Sequence, residues 1–180
     1  MYASPALRRP FAGLAGAAAL IAMLAVSGPA HAGKEGSLTL RIGVAISETL
    51  APGTDGICPG FEGHIRGVGY STELGAVGIE ATDCFVPAPG DTTGSNFVFW
   101  TKPGTVVTLT TSSGDTLVGT TQGTATGQPF PIEAISGKVT FTGGTGRYKN
   151  AAGSGSIEGI ENIGTTPATG ILVISGTITY

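Results

Sequence analysis

The stretch FTGGTGRYKNAAGSG, residues Phe141–Gly155, joins two segments in which apolar and polar residues alternate. Its glycines are too frequent for a helix, and its regular order is unlike that of a flexible linker. Because a period of two is typical of β-strands, we expect the stretch to be a structured connection between two strands of a barrel. At most, Arg147–Ala152 is expected to make one helical turn.

Most of the remaining chain also has the pattern of β-strands. In the clearest segment, Ser37–Ser47, every second residue is Leu, Ile or Val. The predicted strands are Ser37–Ser47, Phe61–Tyr70, Leu74–Cys84, Phe97–Thr101, Thr105–Thr111, Thr116–Thr126, Phe130–Phe141, Ser154–Asn162 and Gly170–Tyr180. Short turns join consecutive segments, which favours a closed antiparallel up-and-down β-barrel of about eight strands over a sandwich. We expect the first and last strands to pair and close it, since closure removes exposed strand edges.

Three further stretches support a resemblance to a known barrel group. Together with Phe141–Gly155, the stretches Gly67–Cys84, Ser112–Gly127 and the terminal GTITY resemble exported bacterial members of the allene oxide cyclase and dirigent-like barrels, which are of the calycin type. The resemblance covers about two thirds of the predicted mature chain. It implies an eight-stranded barrel with a lumen. It does not imply the plant activities, because no known catalytic residue of either plant family matches a motif here.

The same resemblance implies a role for the GGTGRY corner. Gly143, Gly144 and Gly146 would supply backbone positions that need positive φ or a close approach, and Arg147 would complete the structural corner. Tyr148 would turn inward and plug this end of the barrel. Any opening for a ligand would then lie at the opposite end.

The N-terminus is typical of a secretory signal peptide. Arg8 and Arg9 precede the apolar run Phe11–Val26, and an A-x-A cleavage site follows at Ala30–Ala32. The sequence therefore predicts a signal peptide over residues 1–32 and a single β-barrel domain over residues 33–180, exported to the periplasm or the extracellular space. An uncleaved anchor is the alternative, although 16 apolar residues fall short of the ~20 that span a bilayer. Arg8–Phe11 also resembles a twin-arginine signal, so either export route is open.

The composition of the predicted mature chain excludes several classes of partner. Loss of Arg8 and Arg9 leaves seven basic against twelve acidic residues, a net charge of −5. No basic patch is present, which argues against binding to nucleic acid or to an anionic membrane. No second apolar segment is long enough for stable insertion into a membrane after cleavage.

The two cysteines, Cys58 and Cys84, are predicted to form a disulfide. An even number of cysteines in an exported chain favours a bridge, and both lie beside turn-forming residues. Two buried free thiols are the alternative.

The sequence carries none of the common catalytic or cofactor-binding motifs. His64 is the only histidine after cleavage, so a histidine-based metal site and a zinc enzyme are not expected. A nucleophile elbow, a phosphate-binding loop and a dinucleotide fingerprint are also missing. We therefore expect no cofactor and no metal.

Candidate site residues come from the faces of the predicted strands. Glu133 shares its face with Ile135 and Val139, so it is a candidate for a carboxyl pointing into an apolar lumen, where it could act as an acid or base. A glutamate at the barrel rim is the alternative. His64 and Arg66 share a face with Glu62, which either points inward as a charged binding cluster or outward into solvent.

Two aromatic side chains complete the candidates for ligand binding. Trp100 could line a pocket, although clustered aromatic residues usually pack in a core. Tyr148 could contact a ligand at the corner, as could Arg147, for which hydrogen bonding to turn carbonyls is the simpler role.

Three functions remain open from the sequence. The first, which we favour, is a barrel that binds a small apolar molecule in its lumen. The second is a cofactor-free isomerase or cyclase of the allene oxide cyclase type that uses Glu133 or another inward acid. The third is a structural protein of the cell envelope with a filled barrel.

Overall fold

The computed structural model describes residues 36–180, which form nine β-strands. The strands are β1 (Ser37–Pro52), β2 (Phe61–Ser71), β3 (Gly75–Pro87), β4 (Asn96–Thr101), β5 (Val107–Thr111), β6 (Thr116–Gly127), β7 (Ile132–Gly144), β8 (Ala152–Asn162) and β9 (Ala168–Thr179). The predicted signal peptide, residues 1–32, lies outside the described residues. Within residues 36–180, no helix is long and apolar enough to cross a membrane.

The strands form one closed antiparallel barrel, as predicted. Apart from β4 and β5, strands that are consecutive in the chain pair with each other, and β1 pairs with β9 to close the ring. The short strands β4 and β5 lie end to end between β3 and β6 and share one position, so nine strands make an eight-strand barrel. The predicted pairing of the first and last strands is confirmed.

The alternation in β1 places one face of the strand in the core. Leu40, Ile42 and Val44 are at most 1% exposed, and the residues between them face solvent. Similar faces of the other strands fill the interior with aliphatic and aromatic side chains. β1 continues to Pro52, five residues beyond the predicted end, and this extension brings Glu48 onto the inner face.

The GGTGRY corner closes one end of the barrel. It makes a 3-10 turn at Gly146–Tyr148, and Tyr148 is fully buried with its ring 5.3 Å from that of Tyr180. Gly146 has a φ of +56°, and a Cβ on Gly144 would lie 1.9 Å from the Thr116 carbonyl oxygen. Glycine is thus required for both reasons expected from the sequence. The turns β1–β2, β3–β4, β6–β7 and β8–β9 surround the other end, called the mouth below.

The loop between β1 and β2 is fixed near the mouth. Cys58, in this loop, is bonded to Cys84 of β3, with the two Cα atoms 5.0 Å apart. The predicted disulfide is therefore present, and both cysteines are buried. Lys102 adds a second attachment, because its Nζ contacts Asp55 of the loop and lies 2.7 Å from Glu62 Oε2.

Candidate functional site: an acidic barrel mouth

Two neighbouring cavities occupy the barrel interior and its mouth. The inner cavity has a volume of about 50 Å³ and lies among aliphatic and phenyl side chains. The outer cavity, at the mouth, has a volume of about 210 Å³. Its lining residues are Glu48, Leu50, Ala51, Pro52, Phe61, Phe85, Phe97, Glu133, Glu161 and Ile163. Glu48, Phe85 and Glu161 line both cavities, so the two adjoin.

Four carboxyl side chains point into this region from four different strands. Glu48 lies on β1, Asp83 on β3, Glu133 on β7 and Glu161 on β8, and each is between 2% and 6% exposed. Each carboxyl lies on the inner face of its strand, near the end of the strand that borders the mouth. An acidic cluster therefore lies at the level where the apolar core gives way to the opening.

The barrel register brings the glutamates together. Glu133 and Glu161 are direct cross-strand partners. Glu48 comes from β1, on the far side of β9, and its carboxyl reaches that of Glu161, so that one proton can hydrogen-bond the two groups. Gly63 leaves the space for Glu48, since a Cβ there would lie 1.9 Å from Glu48 Oε1.

The Glu48 and Glu161 carboxyls are not satisfied by the rest of the barrel. Oε1 of each is buried and has no hydrogen-bond partner in the part of the protein that the structure describes. Burial, and to a smaller extent the nearby charge of Glu161, raises the pKa of Glu48 to about 9. Burial also raises the pKa of Glu161. Because the charged forms are disfavoured, Glu48 holds its proton at neutral pH.

The pKa of Glu133 is raised as well, first by burial and then by the charge of Glu161. Like charges directly opposite each other on neighbouring strands repel. The pair formed by Glu133 and Glu161 therefore adds to the tendency of this cluster to keep protons.

Asp83 lies in a more polar environment than the glutamates. Thr121 Oγ1 donates to its carboxylate at 3.1 and 3.2 Å, and Thr101 Oγ1 lies 2.7 Å from Thr121 Oγ1. This network stands where β4 ends, and the Thr121 amide donates to Thr101 Oγ1 at 2.7 Å. Burial raises the pKa of Asp83 to about 6, while the threonine hydrogen bonds oppose that rise.

The cluster has no basic partner inside the described barrel. In residues 36–180, neither cavity is lined by a Lys, Arg or His side chain. Lys102 is held outside by Asp55 and Glu62. The described residues also contain no group of three or more His, Cys, Asp or Glu side chains arranged to hold a metal ion.

The structure places the candidates from the sequence in different regions. Glu133 lies on the inner face and lines the mouth. His64 and Arg66 point outward, where His64 Nε2 lies 3.2 Å from Glu62 Oε1 and Arg66 Nε lies 3.7 Å from Glu80 Oε1. They do not line the lumen, so the outward alternative describes this face.

The aromatic candidates also lie away from the mouth cavity. Trp100 is half-buried beside Gln122 and Lys138 in a shallow depression on the outer wall. Tyr148 is packed in the closed end, and the Arg147 guanidinium lies over its ring, 4.6 Å from the centroid. Neither Tyr148 nor Arg147 lines either of the two lumen cavities.

Sequence reasoning missed Glu48, Asp83 and Glu161. The sequence did indicate that each of them faces inward, because each continues the alternation of its strand. Glu48 lies two residues after Ile46, and Asp83 lies two residues after Ala81 and four after Ile79. Their proximity could not be read from periodicity, since it depends on the register around the closed ring.

Comparison with known proteins adds no relative. No family model matches the chain, and no curated protein or solved structure is significantly similar to it.

Proposed function

We propose that this protein is an exported barrel that binds a small, mostly apolar molecule in its mouth. The observation that carries the proposal is the outer cavity, which has phenyl and aliphatic walls and buried carboxyls at its base. Concave apolar sites with a few converging polar groups are typical of small-molecule binding. The apolar walls would supply most of the affinity, and the carboxyls would orient the ligand.

The size of the cavity limits the ligand. An apolar protein cavity of ~150 Å³ is enough to hold benzene. At about 210 Å³, the outer cavity suits a molecule with one ring or a short alkyl chain. The inner cavity, at about 50 Å³, would admit only a small substituent of the ligand.

The disulfide and the family resemblance support the compartment and the scaffold that we propose for this protein. The disulfide between Cys58 and Cys84 is typical of an oxidising compartment, in agreement with the signal peptide proposed for residues 1–32. We place the barrel in the periplasm or outside the cell. The likeness of the GGTGRY corner to allene oxide cyclase and dirigent-like barrels supports the scaffold and not their activities.

A specific observation favours a second function, a cofactor-free isomerase or cyclase. The pKa of Glu48 is about 9 and that of Asp83 about 6, so at neutral pH one is an acid and the other mainly a base. Environments that separate the pKa values of two nearby carboxyls are typical of acid–base catalysis. Binding requires only the cavity, whereas this activity requires conversion of the bound molecule.

The test of binding is an affinity measurement with one neutral probe and two matched variants. Nuclear magnetic resonance titration with 2-phenylethanol should shift the amide signals of mouth residues such as Leu50 and Ile163. Ile163→Trp narrows the mouth and should weaken binding about tenfold or more. Ile160→Trp makes the same change on the outer wall, where Ile160 is 55% exposed, and should leave affinity unchanged. Equal affinity of both variants, or no binding by the wild type, would refute a binding mouth and favour a structural barrel.

A further inference from the structure

Among residues 36–180, no basic side chain lines the outer cavity beside its acids. Three carboxyls, those of Glu48, Glu133 and Glu161, line the outer cavity together with the rings of Phe61, Phe85 and Phe97. Two of their oxygens, Glu48 Oε1 and Glu161 Oε1, are buried and have no hydrogen-bond partner within residues 36–180. Buried polar atoms in native proteins are normally paired, so these oxygens need a donor, which is either a proton held between the two carboxyls or a donor group of a ligand in the cavity.

A bound organic cation would satisfy each feature of this site. An ammonium group has three hydrogen-bond donors and no acceptor, which suits carboxyl oxygens without partners. Phenyl rings attract a cation through their faces, and they pack equally well against the apolar part of a ligand. An anionic ligand would instead meet several carboxyls in a low-dielectric site.

We propose that the ligand of the mouth is a small organic amine, whose ammonium group binds Glu48 and Glu161 while its apolar part lies among Phe61, Phe85 and Phe97. This inference rests on the proposed function and specifies its ligand class. Among the described residues that line the outer cavity, Glu48, Glu133 and Glu161 are the only ones with polar side chains.

The chemistry requires an exchange of cations. Without a ligand, the Glu48 and Glu161 pair holds at least one proton at neutral pH because its charged forms are buried and repel each other. The ammonium ion replaces that proton: the protonated carboxyl releases H⁺ to water and the resulting carboxylate pairs with the ligand. Charge is conserved, since one cation enters as one leaves.

The other titratable groups that face the Glu48 and Glu161 pair are both acids. Glu133 lies opposite Glu161 on β7, and Asp83 faces Glu48 from β3. Both are acids, so neither can supply the missing positive charge. Among residues 36–180, no basic side chain lines either cavity.

Isothermal titration calorimetry with two matched probes tests the inference. The probes are 2-phenylethylamine and 2-phenylethanol, which share their apolar part and differ in the head group. At pH 7 the amine should bind about tenfold more tightly, because hydrogen bonds involving charged groups are stronger. Repeating the titration in buffers of different ionisation enthalpy should show release of about one proton with the amine and none with the alcohol.

Matched variants assign the effect to the lumen. The double substitution Glu48→Gln with Glu161→Gln keeps the side-chain shapes but removes the exchangeable proton and the charge. It should abolish the preference for the amine and the proton release, while the alcohol still binds. Glu158→Gln makes the same change on the exposed face of β8 and should alter neither quantity. The binding of the alcohol to the double variant also shows that the barrel is folded.

The outcomes separate this inference from the function on which it rests. Equal or tighter binding of the alcohol, or amine binding without proton release, would overturn the amine assignment and leave an apolar-binding mouth. Failure of both probes to bind wild-type protein would overturn the binding function itself. An amine preference that survives the double substitution would place the cation elsewhere and contradict the proposed site.

Discussion

Glu133 of β7 and Glu161 of β8 stand directly opposite each other on the inner face of the barrel, where both are nearly inaccessible to solvent. Like charges in this arrangement destabilise a sheet unless they are protonated or neutralised. With Glu48 beside Glu161, the barrel places three acids at an opening whose walls are otherwise apolar. Such a concentration of buried acids has measurable consequences for stability.

Stability should decrease as the pH rises above about 5. Folding raises the pKa of Glu48 from 4.5 to about 9 and that of Asp83 from 3.8 to about 6. The folded state therefore binds more protons than the unfolded state between these values, so its relative stability is greatest below the unfolded pKa and is lost as the pH rises through the folded pKa. Urea denaturation at pH 5, 7 and 9 should give a falling free energy of unfolding.

At acidic pH, an exposed acid with a lowered pKa has the opposite effect on the free energy of unfolding. The pKa of Asp91 is well below its usual value, because the side chain and amide of Thr93 and then the Asn96 amide donate to it. Its contribution is present above the unfolded pKa and is lost on acidification. A stability that rises steadily from pH 5 to pH 9 would contradict the assignment of the lumen acids.

Glu48→Gln should stabilise the protein at pH 8. The amide keeps the shape of the side chain and removes the cost of a buried ionisable group among Glu161, Asp83 and Glu133. We expect a gain of at least ~1 kcal/mol at pH 8 and a smaller difference at pH 4, where the carboxyl is protonated in the folded state and mostly protonated in the unfolded state. Guanidinium denaturation at the two pH values measures the difference. Equal effects at both would show that the carboxyl does not titrate within the barrel.

Gly63→Ala should destabilise the mouth. The new Cβ would lie 1.9 Å from Glu48 Oε1 and 2.7 Å from Phe85 Cε2, so one of these side chains must move. We expect a loss of ~1–3 kcal/mol, as for overpacking elsewhere. Gly43→Ala is the control, because a Cβ there has no neighbour within 4 Å. Similar thermal midpoints for the two variants would indicate that Glu48 does not occupy this space.

Gly144→Val should destabilise the closed end by ~1–3 kcal/mol or more. The added Cβ would approach the Thr116 carbonyl oxygen to 1.9 Å, and backbone cannot move aside as a flexible side chain can. Thermal unfolding beside Gly43→Val provides the comparison. An unchanged midpoint for Gly144→Val would mean that the corner does not pack against the start of β6.

Replacing both cysteines by serine should lower stability by ~2–4 kcal/mol. The bridge joins positions 26 residues apart and ties the β1–β2 loop to β3. The free energy of unfolding of the double variant, compared with that of the oxidised wild type, gives the value. Lys102 would still hold the loop, so folding at room temperature should persist; identical stabilities would contradict a structural role for the bridge.

Much of the barrel could be predicted from the sequence because alternation records which side of a strand is buried. The face of Leu40, Ile42 and Val44 led directly to the pairing of β1 with β9. Glu133 was found by the same reasoning. Glu48 was missed because the predicted strand ended at Ser47, although the alternation continues through it.

Other features depended on information that local patterns do not contain. The proximity of Glu48 to Glu161 follows from ring closure, which places β1 next to β9 and β9 next to β8. The sharing of one barrel position by β4 and β5 depends on the pairing of both strands with β3 and β6, although the two strands themselves were predicted as separate segments. Both are relations between distant segments of the chain.

The most direct test of a ligand-binding mouth is to locate a bound neutral probe. Intermolecular nuclear Overhauser effects from 2-phenylethanol should reach the side chains of Leu50, Phe85 and Ile163, which line the outer cavity. Effects confined to outer-wall residues such as Ile160 or Ile171, or none at saturating probe, would contradict the account.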